Sequence, residues 1–241
     1  MNIGHTDFSE EAIHRGLLQK GQVQKEVLEK FLSILHVELD PVATMIADYR
    51  CAALEVETKF KVLNTRLSMK DEANPIESIK TRIKSPDSIL LKMEKLGLKP
   101  TLESVQNNIF DIAGVRVVCS FIDDIYTIEK YFLDQEDVKL ITRKDYIENP
   151  KESGYRSLHL IIQTPIYTEN GKKDMYVEVQ LRTIAMDFWA SLEHKLRYKK
   201  NIDPALLREL SDELESCAEE STKLDRRMLV VRKKIRDASE S

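Results

Sequence analysis

Glycine is scarce in this chain, and the shortage limits how it can bind phosphate groups. Only seven of the 241 residues are glycine, and none of them forms a G-x-G-x-x-G or G-x-x-x-x-G-K motif. In those motifs the backbone amides of a glycine-rich loop surround the phosphates. A phosphate ligand of this chain would therefore be held mainly by arginine and lysine side chains or by a metal ion.

Cysteine and long apolar runs are scarce as well. The three cysteines (Cys51, Cys119 and Cys217) are far apart and form no C-x-x-C pair, and no H-E-x-x-H motif occurs, which disfavours a disulfide scaffold or a structural zinc site. No run of 18 apolar residues and no signal-peptide core is found, so we expect a cytoplasmic protein without a membrane partner. The net charge of −4 argues against general nucleic-acid binding, although a basic cleft could exist within an acidic total.

Helical patterns dominate the two ends of the chain. Residues 10–39 read as one helix, and a second is predicted after Asp40-Pro41, with Asp40 as its N-cap. Residues 76–97 read as one or two helical turns, a break at Ser85-Pro86 and a helix ending at Gly97. A seam of alternating three- and four-residue spacing follows near the C-terminus: Leu207, Leu210, Leu214, Cys217, Ser221, Leu224, Met228, Val231 and Ile235.

Strand patterns occupy the middle of the chain. Four segments are rich in β-branched and aromatic residues, and the Asn170-Gly171 turn predicts that the last two form a long antiparallel hairpin. The strand segments are 112–121, 138–146, 154–166 and 173–183. The prediction is an α+β fold with a mixed sheet flanked by helices. We divide the chain into an N-terminal helical arm (1–74), a core (75–200) and a C-terminal oligomerisation or packing helix (201–241).

One face of the predicted hairpin collects polar side chains. They are Tyr155, Ser157 and His159 of one strand and Glu178, Gln180 and Arg182 of the next. A solvated face with an ion pair between Glu178 and Arg182 would explain the charges, but not the preceding Lys151 and Gly154. If the carboxylate of Asp111, at the start of the first strand, approaches Glu178, the two would suit Mg²⁺; an isolated aspartate there is otherwise an ordinary turn residue.

Basic residues recur at roughly helical spacing upstream of the first strand. The series is Arg82, Lys84, Ser88, Lys92 and Lys95. A solvated basic face is the commoner meaning of such a run. Without a glycine-rich loop, the series is also the natural polyphosphate binder of this chain.

Three segments together resemble the synthetase domain of the RelA/SpoT family. They are DIAGVRVVCSF, KESGYRSLHL and EVQLRTIAMDFWASLEHK, and the resemblance spans about residues 75–200. Long members of that family add a hydrolase domain with a His-Asp motif, and this sequence has no His-Asp dipeptide. The chain therefore resembles a small, single-domain alarmone synthetase, and its AMDFWASLEHK segment resembles the RelP branch (also called small alarmone synthetase 2) more than RelQ.

The resemblance implies a Mg²⁺-dependent transfer of pyrophosphate from ATP to the ribose 3′-hydroxyl of GDP or GTP, in a homotetramer built from helical arms. Residues implied to bind ATP are Arg82, Lys84, Ser88, Lys92, Lys95, Arg116 and Glu193, with the adenine between Arg82 and Arg116. Residues implied to bind GDP or GTP are Lys151, Tyr155, His159, Gln180 and Asp187, with Tyr155 stacked on the guanine. Implied catalytic residues are Glu178, Asp111 and His159, with Asp111 and Glu178 as metal ligands.

Asp187 departs from the family pattern, because several relatives carry asparagine there. Its carboxylate could still accept the guanine N1 and N2 protons, but the choice between GDP and GTP stays open. Alternative functions are a toxin-like relative that pyrophosphorylates tRNA and a catalytically inactive nucleotide-binding regulator. The acidic net charge counts against the first, and the intact Asp111, Arg116, Tyr155 and Glu178 count against the second.

Overall fold

The computed structural model describes residues 24–71, 74–197 and 204–239. The part of the sequence predicted to be helical between residues 10 and 23 lies outside the described residues. Within the described residues, no helix is long and apolar enough to cross a membrane.

Seven helices occur in the described part of the chain. They are α1 (24–35), α2 (Leu39–Asp71), α3 (Pro86–Lys95), α4 (Leu102–Asn108), α5 (Ile122–Leu133), α6 (Ile184–Arg197) and α7 (Pro204–Ser239). Asp40 lies inside the first turn of α2, because that helix begins at Leu39, so the prediction of Asp40 as N-cap was wrong. The break at Ser85-Pro86 is confirmed, since Ser85 caps α3 and Pro86 is its first residue.

Five strands form one mixed sheet, which confirms the predicted α+β class. The strands are β1 (Ile76–Ile83), β2 (Ala113–Cys119), β3 (Lys139–Asp145), β4 (Leu158–Thr168) and β5 (Gly171–Thr183). Their order across the sheet is β1-β2-β5-β4-β3, with β2 and β5 parallel and all other neighbours antiparallel. The sheet therefore places β5 at its centre, between β2 and β4, and these three strands carry Arg116, Glu178 and His159 of the predicted site.

Strand β1 was predicted to be helical, and that prediction was wrong. Ile76, Ile79 and Ile83 are spaced by three and four residues, as on a helix. In the structure Ile76 pairs with Cys119 and Ile79 with Val117, and a bulge between Ile76 and Ser78 inserts one residue into β1. The bulge brings Ile76 and Ile79 to one face of a strand despite their odd spacing.

The chain separates into two compact units. One comprises the described residues up to Ile46 together with Lys84–Ile109, and the other comprises Ala47–Ile83 together with the described residues from Phe110 onward. The division of the sequence at residues 74 and 200 stays a prediction. The buried apolar side chains of the first unit are Phe31, Leu35, Val42, Met45, Ile89, Met93, Val105 and Ile109.

The core of the second unit lies between the sheet and its helices. The buried side chains of β4 and β5 are mostly Val, Leu and Ile, and they alternate with partly exposed residues of the other face, whereas in β2 only Arg116 is partly exposed. Helix α2 packs against α5 through Phe60 and Phe132, whose rings stack with centroids 4.3 Å apart. Burial of one face leaves the opposite face of the same strands available for a ligand.

The hairpin of β4 and β5 agrees with the sequence prediction. Thr168 pairs with Gly171 across a two-residue loop, and Gly171 has a φ of 100°, which favours glycine. The register pairs His159 with Gln180 and Ile161 with Glu178. His159 of the first predicted stripe therefore lies beside the second stripe on β5, whereas Tyr155 and Ser157 precede β4.

Candidate active site

Gly114 opens the centre of the polar sheet face. It pairs with Arg82 of β1 on one side and with Glu178 of β5 on the other. A Cβ atom at Gly114 would lie 3.2 Å from Nε of Arg82, so the missing side chain leaves room for the arginine to cross β2. Arg82 Nη2 lies 3.5 Å from Glu178 Oε2 as a result.

A pocket of about 130 Å³ lies over this crossing. Its lining residues are Lys80, Thr81, Arg82, Gly114, Val115, Arg116, Glu178 and Gln180. Arg82 keeps 57% of its side chain exposed and Arg116 keeps 29%. Two planar guanidinium groups thus border one pocket. The adenine site that the family resemblance implies for this arginine pair stays a prediction.

Glu178 is held as a carboxylate by its neighbours. Gln180 Nε2 donates a hydrogen bond to Glu178 Oε2 over 2.9 Å, and His159 Nδ1 lies 3.5 Å from Glu178 Oε1. Burial acts to raise the pKa of Glu178, but the hydrogen bond and charge of His159, helped by Arg82, hold it below the ordinary glutamate value. The group is therefore negatively charged at neutral pH.

Tyr155 joins His159 to Arg182 through its hydroxyl group. Arg182 Nη2 donates to the Tyr155 hydroxyl oxygen over 2.7 Å, and that oxygen lies 2.7 Å from His159 Nε2. Nδ1 of the same imidazole faces Glu178, so a proton on Nδ1 is directed at that carboxylate. A continuous polar connection thus links the predicted guanine platform to the predicted catalytic carboxylate.

Ser157 does not join this polar face, contrary to the sequence prediction. It precedes β4, is fully buried, and its hydroxyl donates to the carbonyl oxygen of Leu181 over 3.1 Å. Ser157 therefore links the segment just before β4 to β5 through this hydrogen bond.

Arg182 and Asp187 form the other end of the polar connection. Asp187 Oδ1 accepts hydrogen bonds from Arg182 Nη1 over 3.2 Å and from Arg116 Nη1 over 3.3 Å. Arg182 also donates to Gln180 Oε1 over 3.0 Å. The ion pair considered between Arg182 and Glu178 is thus replaced by other partners for both residues, and Asp187 is engaged by two guanidinium groups.

The two arginines beside Asp187 are incompletely satisfied. The buried Nε atoms of Arg116 and Arg182 make no hydrogen bond to any residue in the described part of the chain. Burial, together with the positive charge of Arg182, lowers the pKa of Arg116, and Asp187 only partly opposes the shift. Two guanidinium groups share the single carboxylate of Asp187, so this end of the site carries an excess of positive charge that suits an anionic ligand.

Tyr146, which sequence reasoning missed, forms a second aromatic wall. Its ring centroid lies 6.1 Å from that of Tyr155 and 5.3 Å from that of His159. Lys151 Nζ lies 4.7 Å from the centroid of Tyr146 and 4.9 Å from that of Tyr155. The available signal was an aromatic residue directly after β3, five positions before Lys151.

Asp111 lies close enough to Glu178 to affect its ionisation. The negative charge of Asp111 acts to raise the pKa of Glu178, after the larger effects of burial and of His159. In the described ranges, no group of three or more His, Cys, Asp or Glu residues comes together as a metal site. A cation here would have two carboxylates and would complete its shell with other oxygen atoms, which suits Mg²⁺ better than Zn²⁺.

The basic series is divided between a strand and a helix. Arg82 is on β1, Lys84 follows that strand, and Ser88, Lys92 and Lys95 lie on α3 with four- and three-residue spacing. The expectation of one basic helix was therefore wrong for Arg82 and Lys84. Glu193 lies on α6 and is half-buried. The predicted roles of Lys84, Ser88, Lys92, Lys95 and Glu193 remain predictions.

The chain is similar to several known proteins. Residues 81–203 match the model of the region found in RelA and SpoT proteins. The GTP pyrophosphokinase YwaC of Bacillus subtilis is 42% identical over 211 residues, which cover 85% of this chain and 99% of that protein.

Two crystal structures from Bacillus subtilis have the same fold. Small alarmone synthetase 1, bound to its product pppGpp, matches with a TM-score of 0.74 and 34% identity over 82% of this chain and 99% of its own. Small alarmone synthetase 2 matches with a TM-score of 0.71 and 41% identity over 80% of this chain and 98% of its own. The higher identity to small alarmone synthetase 2 agrees with the branch indicated by the sequence.

Proposed function

The chain belongs to the RelA/SpoT family, and we propose that it is a GTP pyrophosphokinase that synthesises ppGpp or pppGpp. The ribose 3′-hydroxyl oxygen of GDP or GTP forms a bond to the β-phosphorus of ATP. The bond between that phosphorus and the oxygen bridging to the α-phosphate breaks, and AMP leaves with the bridging oxygen. The hydroxyl proton passes to a base of the enzyme.

The observation that carries this proposal is the polar connection across the sheet. It runs from Arg82 through Glu178, His159, Tyr155 and Arg182 to Asp187. Pyrophosphoryl transfer between two nucleotides needs exact placement of two polyanions and compensation of developing charge, with little covalent chemistry by the protein. Cationic, aromatic and carboxylate groups within one network are suited to that task.

ATP is assigned to the side of the sheet formed by β1 and β2. The guanidinium groups of Arg82 and Arg116 border one pocket and can stack on both faces of an adenine. The phosphates are assigned to Lys84, Ser88, Lys92 and Lys95, and Glu193 to substrate positioning. The positive charges of Arg82 and Arg116 at this pocket support an anionic ligand on this side.

GDP or GTP is assigned to the side formed by β4 and the loop before it. Tyr155 supplies the stacking ring, Asp187 an acceptor for guanine protons, and Gln180 a positioning amide. Lys151 and His159 lie beside that ring and are assigned to the acceptor nucleotide and its phosphates. Lys151 lies over the ring that the guanine would cover, so we expect its side chain to move when the nucleotide binds.

Asp111 and Glu178 would hold Mg²⁺. Two neighbouring carboxylates that repel each other fit a hard divalent cation, whose remaining ligands are typically phosphate and water oxygens. When bound, Mg²⁺ supplies positive charge that stabilises the transferred phosphates. Glu178 is also the candidate base for the 3′-hydroxyl proton, and His159 holds its carboxylate in place.

Incubation with one acceptor at a time tests the proposal. The purified protein is supplied with ATP, Mg²⁺ and GDP, GTP or deacylated tRNA, and nucleotides are resolved by anion-exchange chromatography. AMP that forms in step with ppGpp or pppGpp supports the synthetase, and the two rates give the acceptor preference. AMP that forms only with tRNA would assign the toxin-like reaction instead. ATP binding without AMP formation would assign a nucleotide-binding regulator.

We propose in addition that the protein is a homotetramer assembled through its helical arms. The support is the family resemblance and the apolar seam of α7, whose Leu224, Met228, Val231 and Ile235 are about half exposed in the single chain. A partner subunit would remove these side chains from water.

A further inference from the structure

The loop of residues 147–157, here called the acceptor loop, rests directly on α7. Gly154 of this loop has a φ of 80°, and a Cβ atom built on it would lie 2.5 Å from Cβ of Ala218. The loop and the helix therefore approach more closely than any residue with a side chain at position 154 would allow. Trp189 closes the contact, because the same Cβ atom would lie 3.8 Å from its Cζ2.

Arg156 connects both ends of the acceptor loop to α7. Its side chain is buried, and Nη1 donates a hydrogen bond to Thr222 Oγ1 over 3.1 Å. Nη2 lies 3.5 Å from the carbonyl oxygen of Ile147, at the start of the loop. Burial lowers the pKa of Arg156, and the negative charge of Asp225 opposes that shift, so the helix also stabilises the guanidinium charge.

Asp225 connects α7 to the end of β5. It is buried, and Oδ2 accepts a hydrogen bond from the Thr183 hydroxyl over 2.7 Å. Thr183 directly follows Arg182, which donates to the Tyr155 hydroxyl. Helix α7 therefore contacts both structures that orient Tyr155: the acceptor loop and the end of β5.

We propose that α7 positions the acceptor nucleotide, with Arg156, Thr222 and Asp225 as positioning residues that hold Tyr155 in its binding conformation. The inference rests on the assignment of the acceptor loop to GDP or GTP in the proposed function. Arg156 contacts α7, whereas its neighbour Tyr155 contacts the sheet face. A change on α7 thus alters the guanine nucleotide site without touching a substrate.

Substitutions of Thr222 test this role with little change of shape. Thr222→Val removes the acceptor of the Arg156 hydrogen bond, and Thr222→Ser keeps it. The full chain is analysed by equilibrium dialysis with labelled GDP and, separately, labelled ATP, and by steady-state kinetics. We expect Thr222→Val to raise the GDP dissociation constant and the acceptor KM about five- to tenfold, with ATP affinity and kcat within about twofold. We expect Thr222→Ser and the exposed-site control Arg227→Gln to match the wild type.

A second variant addresses the packing contact. Ala218→Val adds two methyl groups against Gly154, and Ala218→Gly removes one, so only the larger residue displaces the acceptor loop. Circular dichroism and thermal unfolding check that each variant keeps the fold. We expect Ala218→Val to weaken GDP and not ATP, even if Thr222→Val fails to fold.

The outcomes separate this inference from the proposed function. Wild-type protein that forms neither ppGpp nor pppGpp contradicts the proposed function. Active wild-type protein whose folded Thr222→Val and Ala218→Val variants bind GDP normally contradicts the positioning role alone. Equal weakening of ATP and GDP also contradicts it, because a general loss of structure does not distinguish the two nucleotides.

Discussion

Tyr155 combines two separable contributions at the candidate active site. Its ring forms a flat apolar surface beside Tyr146 and Lys151, while its hydroxyl joins Arg182 to His159. Stacking of a base on an aromatic ring does not require the hydroxyl. The hydroxyl in turn matters for the orientation of His159 against Glu178, which concerns turnover rather than affinity.

Two substitutions at Tyr155 separate these contributions. Tyr155→Ala removes the ring, so we expect the dissociation constant for GDP to rise about tenfold or more with little change for ATP. Tyr155→Phe keeps the ring but loses the bond from Arg182, so we expect a smaller loss of GDP affinity than in Tyr155→Ala, with kcat lowered several-fold. Dialysis and initial-rate measurements check both variants. Equal loss of ATP and GDP binding in Tyr155→Ala would refute the stacking assignment.

Glu178 is ionised at neutral pH, and its negative charge suits it to stabilise a bound cation. Because His159 and Arg82 outweigh the effect of burial, its pKa is below the ordinary value of about 4.3. A carboxylate of low pKa is a good cation ligand and a weak base in the free enzyme. Bound phosphates would add negative charge nearby and raise its basicity in the substrate complex.

We expect Glu178→Gln to abolish synthesis while nucleotide binding stays detectable. The amide has nearly the same shape but can neither accept the 3′-hydroxyl proton nor compensate a cation, so kcat should fall at least about a hundredfold. Anion-exchange analysis measures the products, and dialysis measures binding. Glu169→Gln, at the hairpin turn, is the matched control and should be unaffected. Turnover of Glu178→Gln within about tenfold of wild type would exclude the assigned role.

The effect of His159 on Glu178 gives a prediction in pH. His159→Gln removes the partner that lowers the pKa of Glu178, so we expect that pKa to rise in the variant. A carboxylate whose folded-state pKa is depressed contributes stability above its unfolded-state pKa and loses it as pH falls through the folded-state value. The stability difference between wild type and His159→Gln should therefore shrink below about pH 4. Carboxyl NMR titration and unfolding at several pH values measure both effects, and an unchanged Glu178 pKa would contradict the prediction.

At the scale of elements, local sequence signals predicted β4 and β5 well but β1 poorly. The Asn170-Gly171 turn and the alternation around it determine the hairpin, and through its register the pairing of His159 with Gln180. For β1, the bulge after Ile76 produces a helix-like spacing that only the pairing with β2 resolves. Arg82 was therefore predicted as a site residue on the wrong kind of element, because a motif records residue identity and not backbone conformation.

The intramolecular face of α7 could not be predicted from large apolar residues alone. The predicted seam contains Leu224 and Met228, which are half exposed, while Ala218 and Asp225 are buried. Alanine carries a weak apolar signal and aspartate usually marks a surface, so neither indicates a buried face. Asp225 is buried because the Thr183 hydroxyl and the charge of Arg156 compensate it, and these contacts are distant in sequence.

The end of α7 is held to α5 by a partly buried ion pair. Arg232 Nη1 donates to Asp124 Oδ1 over 2.8 Å, and its guanidinium lies 4.5 Å from the ring centroid of Phe121. Asp124 Oδ2 also accepts the backbone N–H of Phe121 at the start of α5. Burial raises the pKa of Asp124, although Arg232 opposes the shift.

We expect Arg232→Ala to lower the free energy of unfolding by about 1–3 kcal/mol at neutral pH, because a buried carboxylate loses its charged partner. The deficit exists only while Asp124 is ionised, so it should diminish as pH falls through the pKa of Asp124. Denaturant unfolding at several pH values measures it, with Arg236→Ala, one turn later and exposed, as control. A deficit that is constant with pH would attribute the loss to the Phe121 contact instead.

At the scale of the whole molecule, α7 has two different faces. One face holds the acceptor loop and α6 through Ala218, Asp225 and the bond from Trp189 Nε1 to the Leu214 carbonyl oxygen. The other face carries the later apolar residues of the sequence seam, Leu224, Met228, Val231 and Ile235, which are exposed in the single chain. If α7 contacts the acceptor loop with one face and a partner subunit with the other, subunit assembly would affect the position of the acceptor loop.

The proposed homotetramer predicts a mass by static light scattering of four times that of one chain. Met228 and Val231 lie on the exposed seam, so Met228→Glu combined with Val231→Glu would place charges in a subunit contact and should reduce the mass. Arg227→Glu combined with Lys234→Glu adds the same number of carboxylates at exposed polar positions of α7 and should leave the mass unchanged. Circular dichroism checks that helix content is kept in both variants. A wild-type mass equal to one chain would refute the tetramer, and the exposed seam would then need another partner.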